Sequence, residues 1–178
     1  MLDPDLVAWA GQHPSPAAAL AACAEPAWYL ALLATGADAP PVATVIAALA
    51  GLVDETRRSD RISPQELVLN RALAILTGGD GALQPAAEDL DQRLRLLGHG
   101  PLRELCAAAR SLVYAAIATR SGWGGLVPTG LCHAAEAVRN ARALLAILGG
   151  AAPATAMRAA SDEVLAALRA IGAPTGRA

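Results

Sequence analysis

The stretch PLRELCAAARSLVYAAIATR, Pro101 to Arg120, decides the fold. Its apolar residues Leu102, Leu105, Ala109, Leu112, Val113, Ala116 and Ile117 recur in steps of three and four. That spacing gathers them on one face of a helix, whereas a strand would divide them between two faces. Pro101 suits the first helical position, where a backbone N–H has no partner to lose, and Gly122 suits the stop. Working outward, the same period runs through Val42, Val45, Ile46, Leu49, Leu52 and Val53 on the N-terminal side. On the C-terminal side it runs through Leu131, Ala135, Val138, Leu145 and Leu148, and again through Met157, Ala160, Val164, Leu168 and Ile171. Leu90, Leu94 and Leu97 form a shorter stripe, and no stretch collects β-branched residues at period two. The predicted class is all-α: a compact bundle of about eight or nine helices in antiparallel pairs. A short α-solenoid is the alternative, although the residues show no fixed repeat.

Proline and glycine place the boundaries. Pro4, Pro16, Pro26, Pro41, Pro64, Pro85, Pro101 and Pro153 each precede a helical pattern, and Gly36, Gly78, Gly98, Gly122, Gly149 and Gly172 follow one. Short helices are expected at 4–11, 16–24 and 26–35, and longer ones at 41–58, 64–77, 85–97, 101–120, 130–148 and 153–171. A short tail, 172–178, completes a single helical domain over 1–178. Ser63-Pro64-Gln65-Glu66 reads as a capping box, with Ser63 capping and Glu66 reaching back. Helices as short as the first three are marginal alone in water, so packing must hold them, with Trp9, Leu20, Trp28 and Leu32 as anchors.

Composition narrows the setting. Hydrophobic residues make up 54% of the 178 positions and charged residues 17%, against roughly 25% charged in an ordinary globular chain. All 14 basic residues are Arg, with neither Lys nor Phe present. Arg and Ala codons are GC-rich while Lys and Phe codons are AT-rich, so the usage fits a GC-rich bacterial genome. A net charge of −2 argues against a nucleic-acid surface. Cys23, Cys106 and Cys132 are odd in number and lack CxxC spacing, which suits free thiols in a reducing compartment and a cytoplasmic location. No basic-then-apolar leader opens the sequence. The apolar stretch from Ala27 to Val53 is cut by Gly36–Pro41 into pieces too short to cross a bilayer, so two buried helices are expected there and no membrane partner.

Candidate chemistry is sparse. His13 and His99 fall in connections, and Cys132 and His133 are helix neighbours that point about 100° apart. No HExxH or other ligand spacing occurs, and neither Gly78–Gly81 nor the Gly-rich run Ser121–Gly130 follows a strand or ends in a phosphate-loop signature. We therefore expect no catalytic residues, no metal and no cofactor. Asp54-Glu55 and Glu88-Asp89-Xaa-Asp91 have Arg at helical reach, and Asp54, Glu55, Asp60 and Glu66 interleave with the basic group Arg57, Arg58 and Arg61. These read as solvated faces, with Asp89–Arg93 and Asp91–Arg95 paired within one helix. The loop Ser121–Gly130 is long for a helical protein and carries Trp123, which either caps the bundle end as a lid or binds something.

The segment Cys23-Ala-Glu-Pro-Ala-Trp28-Tyr-Leu-Ala-Leu32 resembles the Pro-Xaa-Trp-Xaa-Leu opening of Ala-rich, all-helical bacterial proteins, some of them described as immunity proteins. Ala107–Arg110 and Tyr114–Ala118 are similar to the Ala- and Tyr-rich helices that follow in those chains. The resemblance implies a helical, non-enzymatic protein that binds a toxin or another component of a bacterial conflict system.

The sequence reading is thus a non-catalytic protein–protein interaction domain serving as an immunity, adaptor or assembly protein. A helical enzyme or small-ligand binder with a pocket near Trp123 is a second reading, and a structural homo-oligomer is a third. From Met1 to Thr56 there is no basic residue and little acid. That bareness marks the N-terminal third as a contact with a protein partner or a second copy. The candidate contact residues are Trp28, Ala31, Ala48 and Trp123. Alternatively, the Pro26–Val53 hairpin is simply core, wrapped by the later helices.

Overall fold

The computed structural model describes residues 3–36, 39–59, 66–79 and 81–172. Asp38, Arg61, the expected Ser63–Pro64 cap, Asp80 and the 173–178 tail lie outside them. The described residues form nine α-helices and one 3₁₀ turn, with no strand: α1 (Pro4–Ala10), α2 (Pro16–Ala22), α3 (Pro26–Leu33), α4 (Val42–Ser59), α5 (Leu67–Leu76), α6 (Leu83–Leu96), α7 (Pro101–Arg120), the 3₁₀ turn Gly124–Leu126, α8 (Val127–Leu148) and α9 (Pro153–Gly172).

The helix ends are built as the punctuation predicts. Asp3 and Ser15 cap α1 and α2 by accepting bonds from Asp5 N and Ala18 N at 2.9 and 3.1 Å. Three helices finish with the same wrap, in which a left-handed glycine lets the next N–H reach back to a carbonyl five residues earlier. Gly78, Gly122 and Gly150 supply it, with φ of 99°, 74° and 96°. The closing bonds run from Gly79 N to Ala74 O, Trp123 N to Ala118 O and Ala151 N to Ala146 O, at 2.7 to 2.9 Å.

Two starts differ from the sequence reading. Helix α6 begins at Leu83 rather than Pro85, and α8 begins at Val127 rather than at 130. Both prolines sit inside a first turn, where the missing N–H costs no intrahelical bond. The connection expected over Ser121–Gly130 is thereby shortened to a few residues. Gly130 belongs to α8 for a packing reason: a Cβ there would lie 3.2 Å from both Ala115 Cβ and Ser111 O.

Helices α7 and α8 form the largest contact of the bundle. Both helices bury small residues, Ala108, Ala109, Ala115, Ala134 and Ala141 among them, and Gly130 of α8 lies against Ala115 and Ser111 of α7. Around this pair α4 touches α5, α7, α8 and α9, while α3 packs on α8 and α9. A solenoid restricts each unit to its neighbours in sequence, so this is a bundle about a shared core. The apolar Pro26–Val53 region is largely enclosed: Tyr29, Leu30, Leu33, Val45, Ile46, Leu49 and Val53 are all buried. Of the expected anchors, Trp9, Leu20 and Trp28 pack against that core, while Leu32 is half-buried outside it. Among the described residues no helix is long and apolar enough to cross a membrane.

Asp54 pairs with Arg57 and Arg58 within α4, while other ion pairs tie helices together. Arg93 chelates Glu66, giving Nε–Oε1 and NH2–Oε2 distances of 2.8 and 2.7 Å, and does not pair with Asp89. Asp89 meets Arg71 on α5, and Asp91 meets Arg110 and Tyr114 on α7. The i,i+4 pairs expected within α6 are thus replaced by partners on the helices against which it packs. Arg142 on α8 donates to Thr56 at 2.9 Å and pairs with Glu55 and Glu163, joining α4, α8 and α9.

Substituting Gly130→Val should lower stability by about 1–3 kcal/mol, because the branched side chain forces α7 and α8 apart. Gly125→Ala, where a Cβ meets nothing within 4 Å, should stay within about 0.5 kcal/mol of wild type. Calorimetric melting of both variants checks the close approach; equal melting for all three proteins would refute it.

Candidate functional site

The four candidate contact residues lie on α3, α4 and the α7–α8 turn, in unequal environments. Ala31 and Ala48 are half-buried, and Trp28 is half-buried against Trp9, with ring centroids 5.6 Å apart. Burial within the bundle therefore accounts for much of the apolar character of α3 and α4. Trp123 differs: its residue is 61% exposed, and so is Leu126. The indole does not fold back as a lid over the bundle end.

The backbone that presents these two side chains is tightly specified. Gly122 takes the left-handed position, Gly122 N bonds Thr119 O at 3.4 Å and Trp123 N bonds Ala118 O at 2.9 Å. Leu126 N then bonds Trp123 O at 3.0 Å, closing the 3₁₀ turn that feeds α8. Gly122, Gly124 and Gly125 have open space where a Cβ would stand, so the turn projects from the bundle surface. Sequence reasoning singled out Trp123 from loop length and composition. It missed Leu126, which lies in the same loop but whose exposure no spacing in the sequence encodes.

The thiols and imidazoles are placed quietly. Cys23, Cys106 and Cys132 are free. Burial pushes the Cys106 thiol up to about 12 and the Cys132 thiol up to about 11. Burial also raises the Cys23 thiol. Cys132 Sγ donates to Ala27 O at 3.2 Å, while its neighbour His133 is exposed. His13 packs its ring edge on Trp9 at 4.5 Å. Among the described residues, no three His, Cys, Asp or Glu side chains gather in a metal-binding group.

Among the described residues, two of the recesses on the surface stand out. One, of about 230 Å³, lies between α4 and α5 and is lined by Gly51, Asp54, Arg57, Asn70, Leu73, Ala74 and Thr77. Asp54 is already engaged there by Arg57, at 2.6 Å, and by Arg58. The other, of about 160 Å³, is apolar and ends at Thr119 and Arg120, just before the exposed turn; Trp123 does not line it.

A thiolate is the reactive form of cysteine, so thiols with raised pKa react slowly at neutral pH. Alkylation of the native protein with iodoacetamide should label Cys106 and Cys132 far more slowly than the same chain in denaturant, where all three thiols react. Rapid native labelling of Cys106 would contradict its burial.

No protein-family model matches the chain, and neither does any curated protein or solved structure.

Proposed function

We propose that this protein is a non-catalytic protein–protein interaction domain whose contact centres on Trp123 and Leu126. The observation that carries this reading is a rigid turn holding two large apolar side chains, each 61% exposed. Interface hot spots favour aromatic anchors, and a backbone fixed in advance loses little freedom on binding. The resemblance of Cys23–Leu32 to helical immunity proteins gives the kind of role: an immunity, adaptor or assembly protein in a bacterial conflict system, working in the cytoplasm.

A small-ligand or enzymatic reading has less support. Pockets for small molecules run from roughly 300 to 1,000 Å³, whereas the two recesses hold about 230 and 160 Å³. Thiols raised by burial are also poor nucleophiles. A homo-oligomer uses the same surface with a second copy as partner.

The double variant Trp123→Ala, Leu126→Asp tests the proposal. Both side chains are largely solvated, so melting should move by no more than about 0.5 kcal/mol equivalent. Asp is also well tolerated where first-turn N–H groups lack partners. Light scattering should show loss of any self-association. Quantitative pull-down from the source cell should lose the partner that wild type retains. A folded variant with unchanged size and unchanged partners would exclude this surface.

A further inference from the structure

The apolar recess beside the exposed turn has a composition of its own. Its floor is Ile46, Ile75 and Leu83, each only 6% exposed. Val42, Leu76 and Ala116 form half-buried walls, so α4, α5, α6 and α7 all contribute. The floor is braced from behind: a Cβ on Gly81 would stand 2.6 Å from Ile75 Cγ1, so the α5–α6 turn presses directly on that side chain. Among the described residues the lining carries one charged residue, Arg120, exposed at the last turn of α7. Among the described residues no carboxylate pairs with it. Thr119, also on the rim, already donates its hydroxyl to Ala115 O at 2.8 Å.

Volume and charge select the occupant. A recess of about 160 Å³ falls well below the roughly 300 Å³ at which small-molecule sites begin, and it suits one apolar side chain. An apolar floor with a single cation at its mouth complements an apolar side chain that has a carboxylate close by. We infer that this groove is the socket for one apolar anchor residue of a partner protein, accompanied by a carboxylate that pairs with Arg120. The inference rests on the protein-binding reading above and specifies the chemistry of the partner. Arg120 lies three residues before Trp123, so one partner can engage the socket and the turn together.

Isocaproate joins a leucine-like tail to a carboxylate, and its uncharged amide lacks only the charge. Methyl NMR titration of the whole protein with each probe tests the socket. Saturable shifts are expected at Ile46, Ile75 and Leu83, with the amide binding about threefold more weakly, as one rim ion pair warrants. Arg120→Gln should abolish that difference. Ala43→Trp, which fills the groove from an exposed lining position, should abolish binding of both probes while an unchanged melting curve reports the fold. The absence of shifts at the three floor residues would overturn the inference, as would equal binding of acid and amide to wild type. No partner takes part in the titration, so its failure removes the socket alone. Failure of the Trp123 and Leu126 test removes the turn alone.

Discussion

The close approach of α7 to α8 is the constraint on which the rest of the bundle depends. Interhelical distance follows the size of the side chains at the contact; Gly130 presents none, a Cβ there would stand 3.2 Å from Ala115 Cβ, and Ala108, Ala109, Ala115, Ala134 and Ala141 are all buried. A methyl contributes only about 0.8 kcal/mol on burial, against roughly 1.5–3 for a leucine. An alanine-lined seam must therefore be long to hold, and these helices run 20 and 22 residues. Leu105, Leu112 and Val113 from α7, with Leu131 and Val138 from α8, join the core in which α3, α4, α5, α6 and α9 also bury theirs.

With only 17% of the residues charged and every basic one an arginine, arginine takes on the joining of polar ends. Arg103 donates to the carbonyls of Leu94 and Leu97 at the end of α6, at 2.6 and 2.9 Å. Arg169 reaches from α9 to Cys23 O at 3.0 Å while lying over the Tyr29 ring, and Arg139 on α8 meets Glu25 at 2.5 Å. The corner between α2 and α3 is thus fastened from two directions. The guanidinium suits this work because its donors form a rigid planar fork that can serve several acceptors at once.

The fold was legible because it is written in backbone restrictions and period. Proline at a first turn, glycine past a last turn and apolar residues every three or four positions are local signals, and they located every helix to within a few residues. Where local and tertiary demands part, reading failed. Pro85 and Pro128 stand within first turns, where a missing N–H costs no intrahelical bond, so α6 and α8 start ahead of them, and Gly130 is tucked against Ala115 inside α8 rather than preceding it. The partners of Asp89, Asp91 and Arg93 lie on other helices, a choice that no spacing within α6 encodes. Trp123 stood out by its loop, but the exposure of Leu126 and the convergence of four helices on the Arg120 groove belong to the folded state alone.

The central position of α4 has a consequence for how the chain is made. Its apolar faces are closed by α7, α8 and α9, elements that a ribosome delivers long after α4 itself. At roughly 5–20 residues per second, the interval between the emergence of Ser59 and of Gly172 lasts on the order of ten seconds. Over that interval Val45, Ile46, Leu49 and Val53 lack the partners that α8 and α9 supply, and of the neighbours of α4 only α5 and then α7 have been made. The nascent chain is therefore most vulnerable to aggregation, and most dependent on chaperones, during synthesis of its second half.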